Sequence, residues 1–274
     1  MTVELGRYGF WRRQAGFTPE LAREVEALGF GAIWIGGSPP ADLTEVEGLL
    51  AATDRIAVAT GIVNMWASPA AEVAASYHRI AARYPGRFLL GVGIGHPEAT
   101  REYKSPYQTI VDYLDVLDEH EVPMADRVLA ALRPKALAVA GERTAGTHPY
   151  LTTPEHTRTA RDQLGAGVLI APEQTAAVDA PDTAAARTFV RRYLGLRNYV
   201  ANLRTLGFTE ADVADGGSDR LVDALVTQGD AAAVAARLDE HLAAGADHVC
   251  VQLLGDDDAV VPALRGVAEA LGLR

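Results

Sequence analysis

Two stretches, TDRIAVATGIVN (Thr53 to Asn64) and PGRFLLGVGIG (Pro85 to Gly95), decide how this chain folds. Each holds a short apolar run rich in β-branched or large aliphatic residues, Ile56 to Val63 and Phe88 to Ile94, entered through Asp54 or through Pro85-Gly86. Between them Pro69 to Ala82 is Ala-rich, opens with a proline, and reads as a helix. A strand, a helix and a strand in direct succession form the repeating unit of a parallel sheet, because parallel strands need a long crossover.

Outward from this unit the alternation continues to both ends. Further strands are expected at Val3 to Phe10, Ala32 to Ile35, Arg127 to Leu132, Thr147 to Leu151, Val168 to Ile170 and His248 to Leu254. Helices are expected at Pro19 to Leu28, Tyr107 to Glu119, Pro154 to Leu164, Thr183 to Leu194 and Ala231 to Ala244. Gly29 and Gly245 each follow a last apolar helical turn and suit the left-handed residue that ends a helix. Eight βα units in 274 residues use about 34 residues each, the economy of a (β/α)8 barrel. The expected fold class is therefore α/β, a (β/α)8 TIM barrel forming a single domain over residues 1–274. A doubly wound open sheet is the alternative, since strand order is not written in the sequence. The segment Gly195 to Asp230, with its turn cluster Asp215 to Asp219, is expected to add a helix to the seventh crossover.

Composition excludes several function classes. The net charge of −11 is spread along the chain, whereas a nucleic-acid partner needs clustered Lys and Arg. The most apolar stretch, Ile56 to Ala71, is interrupted by Thr60, Asn64, Ser68 and Pro69, so no membrane span is expected. A single Cys and an N-terminus without an apolar leader run point to the cytosol.

In a barrel the chemistry sits at the C-terminal strand ends. Here these read Phe10-Trp11, Gly36-Gly37, Asn64 to Trp66, Gly95-His96, Arg133, Thr152-Thr153, Pro172-Glu173 and Gly255 to Asp258. Glu98, Glu173 and Asp256 lie on no motif of a paired-carboxylate glycosidase, and Lys104 and Lys135 fall outside the strands where a Schiff-base lysine is buried. No metal motif is present: His148 and His156 are split by a strand-to-helix turn, and Asp256 to Asp258 read as a helix start. Gly91-Val-Gly-Ile-Gly95 is GxGxG and not the dinucleotide GxGxxG; Gly93 and Gly95 suit close backbone approach to a flat ligand.

These same two stretches, with Leu28 to Trp34, Arg127 to Leu137, Ala145-Gly146 and Gly229 to Leu254, resemble the bacterial luciferase-like family of flavin- or deazaflavin-dependent oxidoreductases, and within it the coenzyme F420-dependent branch. The resemblance implies a barrel with the cofactor ring at its C-terminal mouth, F420 or alternatively FMN, and a non-prolyl cis peptide behind the ring at Gly61-Ile62. Val63 and Asn64 would follow it, the Asn64 carboxamide addressing the ring edge. The phosphate tail would lie near Ala131, Leu132, Arg133, His148 and Tyr150, with Arg133 and the following helix start as the anion site. Trp11 and Trp66 would line the substrate pocket.

Two departures bear on mechanism. Gly36-Gly37-Ser38 stand where many F420-dependent members carry an Asp-His pair, which makes His96 the replacement candidate for proton transfer. The connection from strand four to strand five is short, which predicts an open mouth. The function implied is hydride transfer between the deazaflavin C5 and a small organic substrate. An FMN-dependent monooxygenase is the alternative within the fold, and a non-catalytic flavin- or deazaflavin-binding protein the alternative outside enzymes. A homodimer is expected by analogy.

Overall fold

A computed structural model describes residues 3–95, 105–179 and 184–273. Strands and helices alternate as β1 (Tyr8–Arg13), α1 (Pro19–Ala27), β2 (Ala32–Gly36), α2 (Thr44–Ala52), β3 (Ala57–Gly61), β4 (Val63–Asn64), α3 (Ala70–Arg83), β5 (Phe88–Gly93), α4 (Pro106–Glu119), β6 (Arg127–Leu129), α5 (Pro134–Arg143), β7 (Gly146–Thr147), α6 (Pro154–Leu164), β8 (Leu169–Ile170) and β9 (Glu173–Val178). There follow α7 (Ala184–Leu194), α8 (Arg197–Thr205), α9 (Glu210–Val213), α10 (Asp219–Leu225), β10 (Val226–Gly229), α11 (Ala231–Ala243), β11 (Val249–Leu253) and α12 (Asp257–Ala270). Helix ends follow local chemistry: the Thr18 hydroxyl accepts from the Leu21 amide ahead of Pro19, and Gly29 and Gly245 take φ of 92° and 105° where α1 and α11 turn into strands.

The sheet path runs β10-β9-β11-β1-β2-β3-β5-β6-β7-β8, with β4 beside β5, and the strand pairs are parallel. Its two sides meet through the chain itself. Only Ala171 and Pro172 separate β8 from β9. On one side the Ala171 and Glu173 amides donate to the Thr147 and Pro149 carbonyls, each at 2.9 Å. On the other, the Cys250 amide donates to the Pro172 carbonyl at 3.0 Å. Thus β8 and β9 act as one interrupted strand, as do β3 and β4, and the ring closes on eight strands as a (β/α)8 barrel.

The structure corrects two expectations from sequence and extends a third. The first strand begins at Tyr8 and not at Val3, because Val3 and Leu5 are buried with Leu89, Val128 and Leu169 in the barrel interior before Gly6, at φ 63°, turns the chain upward. The strand extends through Arg12 and Arg13, which pair with Ile35 and Gly36. The seventh strand does not end at Ile170 but resumes after Pro172 and reaches Val178. The seventh crossover carries α8, α9 and α10 after α7, and an additional strand, β10, that pairs with β9.

Apolar residues form three layers. Ala32, Ala57, Ala59 and Ala171 fill the barrel interior with Trp11, Trp34 and Cys250, the small residues leaving room for two indoles. Ile33, Ile35, Val58, Leu90, Val92 and Leu114 pack between sheet and helices. Val190, Leu203, Leu221, Leu225 and Val226 bind the extra helices to one side of the mouth.

Candidate active site

β3 breaks after Gly61, and the Gly61–Ile62 peptide is cis, at the bond that the resemblance pointed to. Beyond it Val63 pairs with Val92 and Asn64 with Gly93. The Asn64 Oδ1 accepts from the Trp66 amide at 2.9 Å, and its Nδ2 hydrogens have no acceptor among the described residues. With one Oδ1 lone pair still uncommitted, Asn64 keeps both donor and acceptor capacity. Gly93 and Gly95 serve packing: a Cβ on Gly93 would meet Ile62 and Ala130 within 3.0 Å, and one on Gly95 would sit 2.7 Å from Asn64 Nδ2.

Below this ledge the barrel holds a column of rings. His248 Nδ1 donates to the Gly6 carbonyl at 2.8 Å, which leaves its Nε2 free to accept from Trp34 Nε1 at 3.0 Å. Trp34 stacks on His148, with centroids 4.1 Å apart and 15° between planes. His148 Nδ1 lies 2.7 Å from the Ala171 carbonyl, which can only accept, so that nitrogen carries the proton. Burial lowers the His148 pKa to about 4, so the ring is neutral at pH 7 and its Nε2 is an acceptor. Trp11 lies above, its ring over Gly36 so closely that a Cβ there would fall 1.9 Å from the indole. Trp11 Nε1 and His148 Nε2 are both buried and without a hydrogen-bond partner.

Glu173, 1% exposed, points into the same interior. It accepts from Thr175 Oγ1 at 2.5 Å and, weakly, from the Leu151 amide at 3.5 Å. Burial outweighs both bonds and pushes its pKa up to about 8. Tyr150 covers this region, its ring 5.2 Å from Trp11 and its hydroxyl 2.9 Å from both Tyr193 and Gln252. Tyr193 and Tyr199 come from α7 and α8, and Asn198 Nδ2 reaches the Gly95 carbonyl at 3.3 Å. The helices after β9 therefore lean over the mouth, a cover that a short fourth crossover did not suggest.

The anion end expected around Arg133 has a definite shape. Arg133 is the N-cap of α5 and Lys135 lies in its first turn, both exposed, and that turn contains no acid. Buried Ala131 and half-buried Leu132 lead into it, and His156 Nε2 holds the Leu132 carbonyl at 2.7 Å.

Residues 12–121 match the family model described as luciferase-like monooxygenase. That is the family the resemblance named. The matched span contains both stretches that carry it, Thr53–Asn64 and Pro85–Gly95. No curated protein matches the chain. Among solved structures, an F420-dependent secondary alcohol dehydrogenase in complex with an F420-acetone adduct aligns with a TM-score of 0.74 at 16% identity, covering 98% of this chain and 99% of that one. The coenzyme F420-dependent tetrahydromethanopterin reductase of Methanopyrus kandleri gives 0.68 at 15% identity, covering 98% and 100%. The FMN complex of the oxygenating constituent of 3,6-diketocamphane monooxygenase from Pseudomonas putida gives 0.69 at 12%, covering 97% and 98%. At such identities the likeness shows the shared fold.

Within this barrel the structure brings Trp11, Gly61, Ile62, Val63, Asn64, Gly93, Gly95, His148 and Tyr150 to one end. Trp11 is interior floor more than pocket wall, being 4% exposed, whereas Trp66 is half-buried in the turn after β4. His148 is a barrel-interior residue and not part of the anion end at Arg133. His96, Glu98 and Lys104 lie outside the described residues. Sequence reasoning missed Trp34 and His248 and treated Glu173 only as a glycosidase carboxylate. Period-two alternation within β2 puts Ala32, Trp34 and Gly36 on one face, but only the register with β1, where Trp34 pairs with Trp11, shows that this face is the interior. A cavity of about 680 Å³ opens beside the mouth, bordered by Arg13, Gly37, Ser38, Asp42, Ser68 and Glu72. No helix among the described residues is long and apolar enough to cross a membrane.

Proposed function

We propose that this chain is a luciferase-like oxidoreductase that uses coenzyme F420 to move a hydride to or from a small organic substrate at the barrel mouth. The observation that carries the reading is Asn64: its oxygen is tied to the Trp66 amide, and its Nδ2 hydrogens are left at the mouth with no acceptor among the described residues. A flat ring with carbonyl groups along its edge fits a donor placed beside the Gly61–Ile62 bulge. Bound there, F420 would supply the hydride-carrying C5 of its deazaflavin ring.

The chain's own residues provide the rest. Asn64 Nδ2 orients the ring edge. Arg133 and Lys135, at a helix start without acids, attract an anionic tail despite the net charge of −11. Trp11, Tyr150 and the tyrosines of α7 and α8 keep water from the interior. Glu173 retains a proton at pH 7 beneath them, and neutral His148 offers a lone pair. The titles of two neighbours name F420, which supports the choice, and the FMN complex of a third supports FMN as the second reading. His96 as a proton-transfer group, a homodimer and a cytosolic location remain part of the proposal.

Titration of the purified chain with F420 and with FMN, followed by absorbance and equilibrium dialysis, tests it. F420 is expected to bind at least tenfold more tightly. Tight FMN binding without F420 affinity would replace the first reading by the second. Binding of F420 with no oxidation of its reduced form by a broad acceptor panel would replace it by a non-catalytic carrier.

A further inference from the structure

At the mouth β11 presents a carboxamide that two tyrosines orient. Gln252 pairs in register with Trp11 of β1 and Thr175 of β9, so its side chain shares the inward face with Trp11, and it is half-buried. The Tyr150 hydroxyl donates to Gln252 Oε1 at 2.9 Å, and that oxygen can only accept. The Tyr150 hydrogen is thereby spent, so the Tyr193 hydroxyl, 2.9 Å away, gives its own hydrogen to Tyr150. Gln252 Nε2 has no acceptor among the described residues and is not sealed from solvent. We propose that Gln252 binds the cofactor ring, its side-chain NH2 donating to a carbonyl oxygen of the pyrimidinedione that F420 and FMN have in common.

A relay of two hydroxyls, from α7 and from the turn after β7, fixes which end of the carboxamide is left over. What remains is a nitrogen with two hydrogens, and its complement is an acceptor oxygen. A carboxamide that serves packing alone is bonded differently. Gln174, on the adjoining β9, accepts from His241 Nε2 at 3.0 Å and spends its own Nε2 on the Thr175 and Leu225 carbonyls at 2.8 and 3.1 Å. Both its ends are used inside the fold, whereas Gln252 keeps one for a ligand. The Trp11 ring lies 5.2 Å from that of Tyr150, and its Nε1 is 2.8 Å from the place of a Cβ on Gly61. Gln252, Tyr150, Trp11 and the Gly61–Ile62 bulge thus form one continuous strip of the mouth. A flat ring on this strip covers Gln252 Nε2 from water, and a covered donor without an acceptor weakens binding. The ring edge placed there is therefore the one that carries carbonyl groups and not the hydrocarbon edge.

The inference rests on the reading that a flavin-type ring occupies the mouth, and not on which of the two it is. In the full-length ¹⁵N-labelled chain the Gln252 side-chain NH2 resonances, assigned by their loss in Gln252→Glu, are followed while oxidised F420 or FMN is added, with binding itself read by absorbance. Whichever ring binds is expected to shift the Gln252 resonances with the dissociation constant that absorbance gives. Gln252→Glu keeps an acceptor for Tyr150 but puts an oxygen where the donor stood, and should weaken each ring that binds by about tenfold. Tyr150→Phe, which frees the carboxamide to turn, should weaken the ring about threefold. The wild-type titration stands by itself if either variant fails to fold. Ring binding with unmoved Gln252 resonances would overturn the proposal and leave the cofactor reading intact. Binding of FMN alone, with the resonances shifted, would support the proposal while displacing F420. A loss in Gln252→Glu confined to one of two binding rings would overturn it, because the pyrimidinedione is common to both. Binding of neither ring would overturn this proposal and the cofactor reading together.

Discussion

Replacing Glu173 by Gln should make the protein more stable as pH rises. The carboxyl is 1% exposed and, in the folded state, holds its proton to about pH 8, against 4.5 for an ordinary glutamate. Below pH 4.5 the folded and unfolded states both carry the proton, and the group contributes no pH dependence. Between 4.5 and 8 the unfolded chain ionises while the folded one does not, so stability falls by up to about 1.4 kcal/mol per pH unit. At pH 7 the loss is about 3 kcal/mol, and it levels off near 5 kcal/mol once the folded carboxyl also ionises. Gln is nearly the same size, keeps an oxygen for Thr175 Oγ1 and cannot ionise. Urea unfolding of both proteins from pH 4.5 to 8.5 measures the difference. Stabilities within about 1 kcal/mol at pH 4.5 are expected, opening to about 3 kcal/mol in favour of Gln at pH 7 and about 4 kcal/mol at pH 8. Two parallel pH profiles would refute the reasoning, because they would mean that Glu173 reaches solvent or a counter-charge in the folded state.

Three other substitutions probe separate parts of the site. Gly61→Ala forces a methyl within 2.8 Å of two polar nitrogens and should cost about 1–3 kcal/mol in a thermal melt, with a concurrent loss of affinity at the mouth. Asn64→Ala removes both the acceptor for the Trp66 amide and the donor left at the mouth; cofactor affinity unchanged within twofold would rule out the ring contact. Asp118→Asn leaves the Arg127 guanidinium, 2% exposed, without its paired carboxylate, and because that carboxylate is half exposed it should destabilise by about 1–2 kcal/mol in urea. The same carboxylate's contact with the more exposed Arg143 accounts for little of that, so Arg143→Gln should cost less than about 1 kcal/mol.

Much of the barrel can be read along the chain because its period is local. Ile56–Val63 and Phe88–Ile94 carry their strand character in β-branched and aliphatic runs, and Thr18-Pro19 and Gly29 mark where α1 begins and ends. The Gly61–Ile62 bond and Asn64 were located through the family resemblance, which rests on those same runs. The second half of the seventh strand was not legible, because Pro172 and Glu173 look like the end of a strand. In the fold, Pro172 needs no amide donor and lends its carbonyl to Cys250, and Glu173 resumes the ladder from within the barrel. The small residues of Gly91 to Gly95 were legible as such, yet their purpose was not. Only the packed neighbours show that Gly93 and Gly95 make room for Ile62 and for the Asn64 carboxamide.

The sequence by itself thus determined the alternation of strand and helix and the number of βα units, since both depend on spacing and turn residues close along the chain. The tertiary structure decided which polar atoms have partners. Trp11, Trp34, His148, Glu173 and His248 come from five separate strands or strand entries, and their ionisation and hydrogen-bond directions depend on burial and on the Ala171, Gly6 and Leu151 backbone atoms beside them. No residue's immediate sequence neighbours specify those contacts. Closure of the ring does, by bringing distant strand interiors within hydrogen-bonding reach and excluding water from between them.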